Sequence, residues 1–175
     1  MKQDRVAEGS MPADAGPVDL DWPSLYARHA GELGRYVMKL TNDGEVAADI
    51  VQDTFVIGMR GSGRLRDRTA VRAWLYGIAT KRVLQFRRRR RLLEIVGFSG
   101  REAGTRGVPN DEATAVRAIL RRLPADQAAA LVLHHHAGFS RKEIADLTGI
   151  SEEGVKSRLA RGRRRFIAEY EGRGQ

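Results

Sequence analysis

The chain has 175 residues, 42% of them hydrophobic and 30% charged, with a formal net charge of +9 and no cysteine. That length holds one domain or two small ones, and the composition is that of a folded chain. Disulfides and thiolate chemistry are excluded, and no apolar run approaches the roughly 20 residues that span a bilayer.

Residues 1–18, MKQDRVAEGSMPADAGPV, are small, polar and without period. They read as a disordered arm and lack the charged-then-apolar order of a signal peptide, so a cytoplasmic protein is expected. Helical pattern then begins. Leu25, His29, Leu33, Tyr36, Val37 and Leu40 recur at helical spacing, with Pro23 near the start and Asn42-Asp43-Gly44 after the end. A second helix is expected from about Glu45 to Arg60, before the glycines of GSGRLRDRT. A third starts near Ala70, with Val71, Trp74, Leu75 and Ile78 as its stripe, and runs into Arg87 to Arg91. Residues 96–110 carry four glycines, a proline and no period, which predicts a flexible linker. Helical signal resumes at 111–122, 125–136, 140–147 and 151–170. No strand pattern stands out. The expectation is an all-α protein of two small helical domains, 19–95 and 111–175.

Charge is segregated along this order. Residues 60–91 hold twelve Arg or Lys against one acid, a net of +11, whereas residues 19–58 hold three bases against seven acids, a net of −4. Two kinds of surface follow, and a polyanion is the natural partner of the basic one.

The most specific local signal is SRKEIADLTGISEEGVKSRLARGRRRF, residues 140–166. Ile144 and Leu147 face inward on a short helix that Gly149 ends, Ser151 caps a new helix, and small Ala145 permits a close crossing. Val155, Leu159 and Phe166 hold the second helix down. This is a helix-turn-helix. Its outer face carries Glu152, Glu153, Lys156, Ser157, Ala160 and Arg161, with Arg163 to Arg165 beyond. Lys156 and Arg161 have the length and donors for guanine edges or phosphates, and the helix start at Ser151 offers free N–H groups.

An opposite character marks DIVQDTF, residues 49–55, where Asp49, Gln52 and Asp53 share one helix face. His134 to His136 do not suggest a metal, because adjacent helical residues point about 100° apart. No catalytic motif stands out, so neither a metal, a cofactor nor an enzymatic activity is expected. From these features alone, a dimeric helix-turn-helix regulator, an arginine-rich RNA binder and a helical enzyme with an unrecognised site stay open as rivals.

The order LYARHAGELGRYVMKLTND, ADIVQDTFV, RAWLYGIA, an arginine run, a linker, and then LRRLPADQAAALVLHHHAGFSRKEIADLTGISEEGVKSRLARGRRR resembles the extracytoplasmic-function (ECF) sigma factors over residues 20–168. These are small two-domain promoter-recognition subunits of bacterial RNA polymerase. The resemblance implies region 2 in residues 19–95 and region 4 in residues 111–175. It implies that Asp49, Gln52, Asp53 and Phe55 meet the clamp of the polymerase's largest subunit, with a further contact to the flap. It assigns −10 promoter DNA to Arg64, Arg66, Arg68, Trp74, Lys81, Arg82, Arg87 and Arg88. It assigns −35 DNA to Ser151, Glu152, Glu153, Lys156, Ser157, Arg158, Arg161 and Arg163. An anti-sigma protein is a further implied partner, and no membrane is. Two departures stand out: IATK replaces the frequent IARN, placing Lys81 where asparagine is common, and Glu153-Gly154 stands where Gly-Thr is frequent.

Overall fold

The computed structural model describes residues 20–65, 67–97 and 112–172. The expected arm, the linker beyond Gly97 and the side chains of Arg64, Arg66 and Arg68 lie outside the described residues.

Seven α-helices account for nearly all of the described chain: α1 Trp22–Thr41, α2 Gly44–Gly61, α3 Val71–Ile95, α4 Glu112–Arg122, α5 Ala125–His135, α6 Arg141–Thr148 and α7 Glu152–Glu171. Their ends follow local chemistry. Asp21 accepts the Ser24 N–H at 3.3 Å to start α1, with Pro23 in the first turn, where no N–H is needed. Asn42 ends α1 in the left-handed region at φ 53°, a conformation asparagine tolerates. One residue later Asp43 takes the Val46 N–H at 3.1 Å and starts α2. Between α2 and α3, short 3₁₀ turns at Ser62–Arg64 and Arg68–Ala70 carry the chain around.

Helices α1, α2 and α3 bury Leu33, Tyr36, Val37, Leu40, Ile50, Val51, Leu75 and Val83 between them. Helices α4 to α7 bury Ile119, Leu120, Leu133, Ile144, Val155 and Leu159. Each such side chain contributes roughly 1.5–3 kcal/mol when fully removed from water. These two sets do not stand apart, for their buried side chains form one continuous cluster. The Tyr76 ring on α3 meets Phe139, before α6, edge-on at 4.9 Å, and Tyr36 at 5.1 Å. The Tyr36 hydroxyl bonds Thr80 Oγ1 at 2.8 Å, so the polar tips of this aromatic layer are satisfied. Gly77 brings the α3 backbone against α6. A Cβ there would lie 3.0 Å from the Leu147 carbonyl oxygen. The halves, read from the sequence as separate domains on a linker, therefore share a packed apolar interface.

Candidate nucleic-acid interface

Helix α6 begins with a full capping box: Ser140 Oγ accepts the Glu143 N–H at 3.2 Å, while Glu143 accepts the Ser140 N–H at 2.8 Å. Gly149 turns the chain at φ 70°, where a side chain would be strained, and its N–H returns to Ala145 O. Ser151 Oγ then accepts the Gly154 N–H at 3.1 Å and opens α7. Val155 and Leu159 are buried, and Gly162 meets α5 so closely that a Cβ would fall 3.1 Å from Leu131. The helix-turn-helix expected over 140–166 is present. Gly162 is a contact the sequence reading did not single out, although a glycine at helical spacing from Val155 and Leu159 was its signal.

With that face down, Ser151, Glu152, Glu153, Lys156, Ser157, Arg161 and Arg163 are exposed together. Lys156 lies 3.3 Å from Glu153, and Arg161 Nε leans to Ser157 O at 3.4 Å, so neither cation is locked by a buried partner. Arg163 sits 3.3 Å from His135 Nε2. Arg158 differs from the rest of this group. It is half-buried and pairs with Asp126 on α5 at 3.2 Å, which turns it from the outer face toward the core of its own half.

On α2, Asp49 and Gln52 are exposed on one face as expected. Asp53, next to them, is ion-paired with Arg82 of α3. Phe55 requires a correction: it is buried and its ring packs 4.8 Å from Tyr26, so it supports the helix from beneath. Aromatic burial outweighs exposure at that position because α1 covers it.

The expected −10 residues divide in the same way. Lys81 and Arg88 are exposed on α3. Trp74 is half-buried, its ring 6.5 Å from that of Trp22. Arg82 pairs with Asp53 and reaches Gln85 at 3.4 Å. Arg87 is the second correction, for it does not lie on an outward strip. Its Nη2 donates to the carbonyls of Leu120, Arg121 and Leu123 at 3.3, 2.8 and 2.7 Å, where α4 ends. A cation there answers orphan carbonyls and the negative end of the helix dipole. Burial, with Arg121 alongside, lowers the Arg87 pKa to about 10.

Arg72, absent from the sequence-based site, holds the halves together. Its guanidinium pairs with Glu32 on α1 at 3.3 Å, donates to Ala137 O at 2.9 Å, and lies 5.0 and 4.6 Å from the Tyr76 and Phe139 ring centres. Burial pushes the Tyr76 hydroxyl up to about 12, helped by the Glu32 charge. The histidine run is occupied with other work: His134 Nδ1 bonds Phe139 O at 2.8 Å.

Comparison with known proteins follows this geometry closely. The family described as Sigma-70 region 2 matches residues 25–92, and Sigma-70 region 4 matches residues 113–166. The chain is 34% identical to the ECF RNA polymerase sigma factor SigL of Mycobacterium tuberculosis over 145 residues, which cover 78% of this chain and 81% of SigL. It is 33% identical to SigM of the same species over 148 residues, covering 81% of this chain and 73% of SigM. Among solved structures, the sigma factor RpoE of Bartonella quintana, in complex with the anti-sigma factor NepR, matches with a TM-score of 0.71 at 23% identity. That match covers 86% of this chain and 97% of RpoE.

Proposed function

The chain belongs to the ECF RNA polymerase sigma factors, which direct promoter-specific transcription, and from that premise we propose how its surfaces divide the work. Region 2 would extend over residues 19–95 and region 4 over 111–175, joined by residues 96–110. Asp49 and Gln52 would meet the polymerase clamp, since they are exposed, acidic or polar, and without a side-chain partner among the described residues. Lys81, Arg82 and Arg88, with Trp74 and the basic residues Arg64, Arg66 and Arg68, would follow −10 DNA. A separated strand needs a basic track and an aromatic neighbour for an unstacked base. The Asp53–Arg82 pair marks the border between the two surfaces.

Region 4 would read −35 DNA through Lys156, Arg161 and Arg163, with Ser151, Glu152, Glu153 and Ser157 framing the helix start. The observation that carries this reading is the exposed basic face of α7 over a closely crossed, glycine-turned α6. Arg158 would act by bracing α7 against Asp126. Sigma factors are not enzymes in the usual sense, and we infer no activity for this chain apart from polymerase. We infer a cytoplasmic location, beside polymerase. The complex of RpoE with NepR supports an anti-sigma protein as a third partner.

The test adds purified full-length chain to core polymerase on promoter DNA. Start-site-specific transcripts that require the added chain are expected. Sequence-specific binding as a dimer, without polymerase and without transcripts, would instead favour a free-standing regulator.

A further inference from the structure

The cleft where the second half of α3 faces α1, α4 and α7 shares only Arg88 with the DNA-binding surfaces proposed above. It encloses about 770 Å³, inside the roughly 300–1,000 Å³ of small-ligand pockets. Its walls carry more positive charge than they answer. Arg88, Arg91, Arg121 and Arg165 line it, and none of their guanidinium groups has a hydrogen-bond or ion-pair partner among the described residues. Arg90 and Arg122 line it too, but Glu94 at 3.2 Å and Glu169 at 2.9 Å answer them. Among the described residues, Glu94 is the single acid in the lining. Arg87 borders the same cleft, and although its Nη2 is committed to α4, its Nη1 is buried without a partner.

We propose that this cleft binds a compact oligophosphate, as a nucleoside polyphosphate or a free inorganic chain, between the two halves. Four unanswered guanidiniums, converging from three helices, need several anionic groups at close spacing. One carboxylate has only two oxygens to offer them, whereas an oligophosphate supplies several anionic groups in a row. Planar guanidinium forks match phosphate oxygens in paired hydrogen bonds. A DNA duplex is too wide for the enclosed volume. Phe86 and Pro124 add an apolar wall on which a base can rest. Arg88 and Arg91 belong to α3, whereas Arg121 and Arg165 belong to α4 and α7. A bound oligophosphate therefore ties the halves together, and mass action favours the packed arrangement it binds.

Calorimetry of the full chain at about 150 mM salt, titrated with inorganic tripolyphosphate and separately with GTP, tests this. The wild-type chain is compared with Arg121→Gln/Arg165→Gln and with a charge-matched control, Arg28→Gln/Arg60→Gln, outside the cleft. All four positions are exposed, so the variants are expected to fold, with circular dichroism as the check. One site per chain is expected, weakened at least tenfold in the cleft variant and less than twofold in the control. Tighter binding of GTP than of tripolyphosphate assigns the apolar wall to a base, and equal binding assigns the site to the bare chain. Equal weakening in both variants, several ions per chain, or no saturable binding overturns the proposal. Arg88→Gln/Arg91→Gln supplies a second test from the α3 side, with the same tenfold loss expected.

Discussion

Among individual residues, the pairing of Asp53 with Arg82 separates two acids that look equivalent in the sequence. Asp49 and Gln52 are free to meet a partner, whereas Asp53 already has one inside the chain. Replacing Asp49 and Gln52 with Arg is therefore expected to leave the fold intact and abolish co-purification with core polymerase. Reversed charge at a protein interface costs several kcal/mol. The same change at Asp53 would set two cations together and confuse the result with misfolding. Lys156→Ala/Arg161→Ala is expected to do the opposite, keeping polymerase while losing −35-dependent initiation. Each phosphate contact removed lowers the slope of log K against log salt by about one, which a salt titration of promoter binding would read. Two histidines give a pH dependence. Burial first, then His134 and Arg163, holds His135 below the ordinary imidazole value, and burial, then Lys39 and Arg35, does so for His136. The unfolded chain then binds protons that the folded chain refuses. Stability is therefore expected to fall as pH drops below about 6.5. Urea midpoints at neutral and mildly acidic pH check this, and His135→Gln/His136→Gln should flatten the difference.

Helices α6 and α7 show how a DNA-reading element is set by its joint. Gly149, at φ 70°, lets the chain leave α6 and enter α7 across only three residues, and the capping box at Ser140 and the Ser151 cap define both helix starts. Gly149→Ala is expected to destabilise the fold by about 1–2 kcal/mol, because a Cβ in the left-handed region is strained even where space is open. Thermal or urea unfolding of the full chain measures it. Helix α3 behaves differently, for it serves both halves. Its first turns carry Arg72, Tyr76 and Gly77 into the interface, and its last turns bring Arg87 to the end of α4.

For the whole molecule, the packed arrangement of the halves is the property on which the other assignments depend. Gly77 allows α3 and α6 to touch, so Gly77→Val is expected to push them apart while leaving helix content nearly unchanged. Small-angle scattering would then show a larger radius of gyration, and amides around Phe139 and Tyr76 would exchange faster. An unchanged radius would mean that the remaining contacts, Arg72 with Glu32 and Ala137 and Arg87 with α4, hold the halves without Gly77.

Helix number, order and boundaries were legible from the sequence, because caps, left-handed stops and apolar periodicity are local and act over three or four residues. So were the helix-turn-helix at 140–166 and the exposure of Asp49, Gln52, Lys156 and Arg161, since each lies opposite an apolar stripe on its own helix. What periodicity does not report is which element covers a given stripe. The stripe on α3 could have met solvent-facing polymerase or another helix, and only the tertiary structure set Tyr76 against Phe139. For the same reason Phe55, which the resemblance assigns to polymerase, lies covered by α1, and Arg158 reads as a groove residue until Asp126 stands beside it. Arg87 is the sharpest case. In the sequence it is one of five identical arginines, and the carbonyls that distinguish it lie 33 to 36 positions away in the chain.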